Sequence, residues 1–261
     1  DLVRSRGLGD VYKRQVKMSP IALRDFRRHR TAMVFQKFGL LPHRTVIDNV
    51  GYGLEVQGRG TAERNRISAR WIERVGLAGF ERKYPAQLSG GMQQRVGLAR
   101  ALANDAPILL MDEAYSALDP LIRYDMQTVL LDLQKEVRKT IVFITHDLDE
   151  ALRIGDRIAL LRDGAVIQQG TGQEIVLHPA DDYVANFVQH VDRGKVVRVA
   201  SVMEAAGPET AGPAVAAETT LTDALREMMG HGVQCLVVCD GAGRTVGQLS
   251  LQRAIAVSAG V

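Results

Sequence analysis

Asp112 and Glu113 are adjacent carboxylates that close a short apolar run, Ile108 to Met111. Such a run reads as a buried parallel strand, and the carboxyl end of a parallel strand is where open α/β sheets place their ligands. An acid there can hold Mg²⁺, and its neighbour can take a proton from an attacking water. Acids also end strands for no chemical reason, so the pair alone leaves both readings open. Upstream, Ser89, Gly90 and Gly91 precede a helical pattern carried by Val96, Ala99, Leu102 and Ala103. A serine and two glycines at a helix start free backbone N–H groups and present the helix dipole to an anion such as phosphate. A glycine turn with a serine cap would use the same residues. Downstream come Ser116-Ala-Leu-Asp119 and then His146, at the end of a β-branched and apolar run from Thr140 to Thr145.

Leu88–Arg95, Ile108–Glu113, Ser116–Asp119 and His146 stand in the order and spacing of an ATP-binding cassette (ABC) ATPase, and the resemblance covers roughly residues 16 to 191. It implies ATP and Mg²⁺ as cofactors, with Glu113 as general base and His146 touching the γ-phosphate and holding the attacking water. Gln36, after a strand from Thr31 to Phe35, is implied to reach the metal and that water. A side-chain amide offers both an acceptor and a donor for this. Asp112 with Gln36 would hold Mg²⁺. Ser89, Gly90, Gly91, Gln93 and Asp119 would meet nucleotide across a head-to-tail dimer, the serine and glycines of one copy closing on the γ-phosphate held by the other. The loop after Gln36 is implied to meet transmembrane permease subunits, with a periplasmic or extracellular substrate-binding protein as an indirect partner.

Bulk properties agree with a soluble α/β protein. The 261 residues are 46% hydrophobic and 24% charged, with a net charge of +3, so bulk charge gives no support to nucleic-acid binding. No apolar run approaches the ~18 residues of a membrane span, and no secretory signal is visible. The expected place is the cytoplasmic face of the inner or plasma membrane, reached peripherally through the permease. Cys235 and Cys239 share one apolar run and read as core thiols, not a disulfide or metal pair. His29, His43, His178, His190 and His231 read as surface residues.

The remaining elements follow from punctuation and periodicity. Residues 1–15 lack helical or strand periodicity. Asp10–Gln15 resemble translated adapter sequence, and the expectation is a non-native or disordered leader. Nowhere does Gly-x-x-x-x-Gly-Lys-Ser/Thr occur; Gly194-Lys195 lacks the hydroxyl residue that follows it in a phosphate loop. The expected fold is thus α/β, a P-loop NTPase-like ABC nucleotide-binding domain lacking its first strand, phosphate loop and first helix. Pro20–Arg30 reads as a basic helix with a solvated face. Val46–Ala78 reads as helical, interrupted by Gly58 and Gly60, with Ile67, Trp71 and Val75 on one face. Pro120 opens a helix, Thr140–Thr145 is expected as a buried strand, and Asp163-Gly164 turns a hairpin. Glu204–Thr219, rich in Ala, Gly, Pro and Thr, reads as linker. The domains expected are 1–15 leader, 16–192 incomplete ABC ATPase, 193–220 linker and 221–261 a small α+β half-module.

In that last segment Leu236-Val-Val-Cys-Asp-Gly-Ala-Gly-Arg-Thr-Val-Gly247 resembles one cystathionine-β-synthase (CBS) repeat, a type that normally works in pairs. Together with Met111–Arg123 and Thr145–Ala151, it resembles the ATPases of glycine betaine/proline (quaternary amine) importers. That family usually carries Phe where Tyr115 stands, and such tails are implicated there in osmotic or nucleotide sensing. Other readings stay open: an ATPase of another importer class, a non-transport ABC protein acting on nucleic acid or ribosomes, and a catalytically dead regulatory or interaction module. A second cassette would be expected for the nucleic-acid reading.

Overall fold

The computed structural model describes residues 18–116, 118–137, 139–205 and 212–260, with the side chain of residue 137 left aside. The leader expected at 1–15 lies outside them. Packing divides the chain into two compact units at the bond between His146 and Asp147. The boundary expected at residue 192 lies inside the second. Among the described residues no helix is long and apolar enough to cross a membrane.

The first unit opens with α1 (Pro20–His29), capped by Ser19, with Pro20 in its first turn and no buried residue. Its basic residues are solvated, as their clustering implied. Strand β1 (Thr31–Val34) leads to a loop and three helices, α2 (Val46–Val50), α3 (Tyr52–Val56) and α4 (Thr61–Arg74). The helical pattern over Val46–Ala78 therefore breaks once more than expected, at Gly51. Here α2 passes so close to α4 that an added Cβ would lie 3.0 Å from Ser68 Oγ. Helix α5 (Gly90–Ala103), strand β2 (Ile108–Asp112), helix α6 (Pro120–Val137) and strand β3 (Thr140–Ile144) complete the unit.

The three strands form one parallel sheet in the order β1-β2-β3, with Thr31, Ile108 and Thr140 in register. Ala32, Val34, Leu109 and Met111 bury one face. A helical layer packs Val46, Val50, Ile72, Val75, Leu77, Leu88, Val96, Ala99 and Ala103 together, with Ile67 and Trp71 against them. Each of the buried Val, Leu and Ile side chains among them contributes about 1.5–3 kcal/mol by leaving water. The buried strand expected at Thr140–Thr145 is corrected. Strand β3 contains no fully buried residue and Ile144 is 56% exposed, because β3 pairs only with β2 among the described residues.

The second unit begins with α7 (Leu148–Ile154), capped by Asp147, and the hairpin of β4 (Ile158–Arg162) and β5 (Ala165–Gly170). Asp163 and Gly164 both take positive φ (51° and 78°), the requirement of a two-residue type I′ turn. Helices α8 (Gly172–Leu177) and α9 (Asp182–Val188) bury Ile175, Val176, Val184 and Val188 with Ile158. Next come α10 (Arg193–Val196), a 3₁₀ turn at Val199–Ser201, β6 (Ala214–Ala216), α11 (Leu221–His231), β7 (Cys235–Cys239), β8 (Thr245–Ser250) and α12 (Leu251–Ala259). Strand β6 runs parallel to β7, and β8 antiparallel to it.

Two readings of this segment change. The stretch expected as a linker supplies Val197, Val199, Val202 and Val215 to the same core as Leu221, Met228, Leu236, Val238 and Leu249. Spaced valines among small residues carry too little periodicity to announce this. Cys235 and Cys239 are free and only half-buried; Leu236 and Val238, on the other pleat of β7, are the core residues.

Candidate active site

The carboxyl ends of β1, β2 and β3 each deliver one polar residue to a common point. After β2, Glu113 takes φ 42°, a left-handed conformation that costs an L-residue about 1–2 kcal/mol. Its N–H donates to Ile144 O at 2.9 Å, which ties this residue to β3. After β1, Gln36 donates from Nε2 to Glu113 Oε2 at 2.8 Å and to Ser116 Oγ at 3.2 Å. Ser116 Oγ in turn donates to Glu113 O at 3.0 Å. After β3, His146 Nδ1 stands 3.2 Å from Glu113 Oε1, with the imidazole 70% and the carboxylate 33% exposed.

This geometry limits what each group can offer. Both acceptors of Gln36 Nε2 are oxygens, so its Oε1 is left facing away from them, with no protein donor among the described residues. His146 Nδ1 faces the Glu113 carboxylate, so the other edge of its largely exposed ring, with Nε2, is turned away from that contact. Glu113 is thus a carboxylate oriented on two sides and accessible from a third. Asp112, exposed at the end of β2, adds a second carboxylate. Among the described residues no three His, Cys, Asp or Glu converge as a metal cage. One carboxylate and one amide oxygen instead suit Mg²⁺, which uses one or two protein oxygens and completes its shell with phosphate and water.

The other expected residues lie on separate elements. Ser89 caps α5, its Oγ accepting from Met92 N at 3.3 Å, so Gly90 and Gly91 sit in the first turn, where backbone N–H groups lack intrahelical partners. Gly91 also has a packing reason, since an added Cβ would lie 2.6 Å from Ile122 Cγ2 on α6. Gln93 turns back and donates from Nε2 to Leu88 O at 3.2 Å. Asp119 Oδ1 accepts from Ile122 N at 3.1 Å and starts α6. Among the described residues, no hydrogen bond or ion pair joins Ser89, Gly90, Gly91 or Gln93 to the Glu113 cluster. The structure brings together Gln36, Glu113 and His146 and adds Ser116, whose place beside Gln36 no sequence spacing announces.

Comparison with known proteins identifies the family of both segments of the chain. The ABC transporter family profile matches residues 8–116, and the CBS domain profile matches 210–260. The glycine betaine transport ATP-binding protein of Bacillus subtilis is 60% identical over 189 residues, 72% of this chain and 45% of that one. The trimethylamine N-oxide transport system ATP-binding protein of Ruegeria pomeroyi is 48% identical over 231 residues, 88% of this chain and 67% of that one. The chain spans about half the length of the glycine betaine relatives it matches. A dimeric ATP-binding cassette in a post-hydrolysis state with ADP and Pi superposes with TM-score 0.53 and 37% identity, over 59% of this chain and 68% of that one. By sequence and by fold, the chain belongs to the ABC transporter family of ATP-binding proteins.

Proposed function

We propose that these residues serve ATP hydrolysis that energises an importer of glycine betaine, proline or a related osmoprotectant. The observation that carries the proposal is the convergence of Gln36, Glu113 and His146 at the ends of three parallel strands. Glu113 takes the proton of the attacking water. His146, oriented by Glu113 through Nδ1, presents Nε2 to that water and to the γ-phosphate. Asp112 and the Gln36 oxygen would hold Mg²⁺, which supplies charge neutralisation at the phosphates. The helix start at Ser89, Gly90 and Gly91, with Gln93 in its first turns and Asp119 ahead of α6, faces the nucleotide of a second copy. The solute class rests on the named relatives.

The partners proposed are that second copy, transmembrane permease subunits and, indirectly, a substrate-binding protein. Through the permease the protein would sit at the cytoplasmic face of the membrane. The CBS-like segment regulates and does not catalyse. The 261 residues contain no Gly-x-x-x-x-Gly-Lys-Ser/Thr, so this chain by itself binds ATP weakly and does not hydrolyse it; on its own it acts at most as an interaction module.

The test is a chimera in which the first strand, phosphate loop and first helix of a relative precede Met18. It should hydrolyse ATP, and Glu113→Gln should trap an ATP-bound dimer on a sizing column, because binding survives when water activation is lost. A Glu113→Gln chimera that stays monomeric in saturating ATP–Mg²⁺ would remove Glu113 from the role of base. Turnover by the present chain well above background, lost on Glu113→Gln, would overturn the claim that it is inactive alone.

A further inference from the structure

Gln36 is followed by two consecutive left-handed residues, Phe38 (φ 56°) and Gly39 (φ 55°). A phenylalanine rarely adopts this conformation unless its surroundings over-determine it. Those surroundings are one face of α5. At Gly90 an added Cβ would lie 3.8 Å from Phe38 Cζ, and at Gly97 3.6 Å from Phe38 O. One turn on, Arg100 donates from Nη1 to Gly39 O at 2.6 Å and from Nη2 to Phe38 O at 3.0 Å. Positions 90, 97 and 100 fall on one helix face, so the loop lies lengthwise along α5 and is clamped at its far end. Among the described residues no carboxylate pairs with Arg100. Burial lowers the pKa of its guanidinium, and the two carbonyls take the place of solvent around it.

We infer that Arg100 is a positioning residue: by fastening Phe38 and Gly39 to α5 it holds the loop after Gln36 in the conformation that keeps the Gln36 amide against Glu113. Helix α5 carries the contacts to the loop between Gly90 and Arg100. The loop rides on it, and Gln36 is held at its opposite end by the 2.8 Å bond to Glu113. The meaning of this link for hydrolysis rests on the function proposed above. The link itself does not, and its test uses no nucleotide.

The test uses the ¹⁵N-labelled chain and the side-chain NH₂ signals of Gln36, assigned by their loss in Gln36→Glu. In the parent these signals should shift on Glu113→Gln, which reports the contact. In Arg100→Met, which keeps the apolar stem and loses every donor, they should move to the position of a solvated glutamine and stop responding to Glu113→Gln. Arg100→Lys, able to reach one carbonyl at a time, should fall between. Gly39→Ala reaches the same end from the loop side, leaving Arg100 in place while its Cβ presses on Phe35 Cδ2 at 3.1 Å. If Arg100→Met does not fold, Gly39→Ala decides. Backbone signals of α5 and β2 should hold in every folded variant. A full response of Gln36 to Glu113→Gln in folded Arg100→Met or Gly39→Ala overturns the inference, as does a parent in which Gln36 ignores Glu113→Gln.

Discussion

Gln36 Nε2 donates to Glu113 Oε2 at 2.8 Å across 77 positions of the sequence. The bond ties the end of β1 to the end of β2, and its acceptor belongs to a residue held in a left-handed conformation at φ 42°. Strain of this kind persists where neighbouring contacts over-determine it. The Glu113 N–H bond to Ile144 O and the Gln36 and His146 contacts to its carboxylate do so here.

The strain predicts an order of stability among variants at this position. Glu113→Ala keeps the backbone penalty and loses the side-chain contacts, whereas Glu113→Gly removes the penalty. The glycine variant should be the more stable of the two by about 1 kcal/mol, read from urea midpoints at unchanged slope. Equal stabilities would show that the backbone relaxes once the carboxylate is gone.

Much of this site was legible in the sequence. Strand, acid pair and helix start could be read from Ile108–Glu113 and Ser89–Gly91, since apolar runs and helix caps are local signals. Gln36 and His146 were singled out only by the resemblance to ABC ATPases, since a glutamine or a histidine after a strand is no signal by itself. Ser116 and Arg100 were not placed. A serine in a loop and an arginine on an amphipathic helix look the same whatever they bond, and Arg100 bonds backbone carbonyls, which leave no mark in a sequence. The exposure of β3 was hidden because the residues of a strand do not say how many neighbours it has. The valines at 197, 199, 202 and 215 were hidden among small residues, although they fill a core.

Gln94 on α5 is fully buried, and neither of its amide atoms meets a hydrogen-bond partner among the described residues. An unsatisfied buried polar group costs about 1–3 kcal/mol. Methionine has nearly the same length and no such demand. Gln94→Met should therefore raise stability by about 1–3 kcal/mol, seen as a higher urea midpoint. A fall would reveal a partner for the amide.

Glu174 contributes one pH-dependent element of stability to the second unit. Its carboxylate accepts the Thr171 N–H at 2.7 Å, and that bond, aided by the Thr171 hydroxyl, holds its pKa below the usual carboxylate value. The folded pKa lies below the unfolded one, so this contribution is complete above the unfolded value of about 4.3. It fades as pH falls through the folded value. Glu174→Ala should lower the melting temperature at pH 7, and the two melting curves should converge as the pH drops below about 4. A constant gap down to acid would assign the loss to packing and not to the charge.

The segment from Val197 onward should behave as one packed body rather than a tether and a fragment. Strand β7 lies between β6 and β8, and Leu236 and Val238 have no exposed surface. Their amides, with that of Val237, should exchange most slowly in this segment, because opening them requires the whole sheet to come apart. Val199 discriminates between the two descriptions, because it precedes the half-module expected from the sequence and yet is fully buried in its core. Deleting its two methyl groups should cost about 2 kcal/mol with the cavity they leave. If Val199 belongs to the core, Val199→Ala should speed exchange at Leu236 to Val238 about thirtyfold, at about 1.4 kcal/mol per factor of ten. Unchanged protection there would detach Val199 from the β-sheet, and uniformly fast exchange in the parent would show that the segment does not pack.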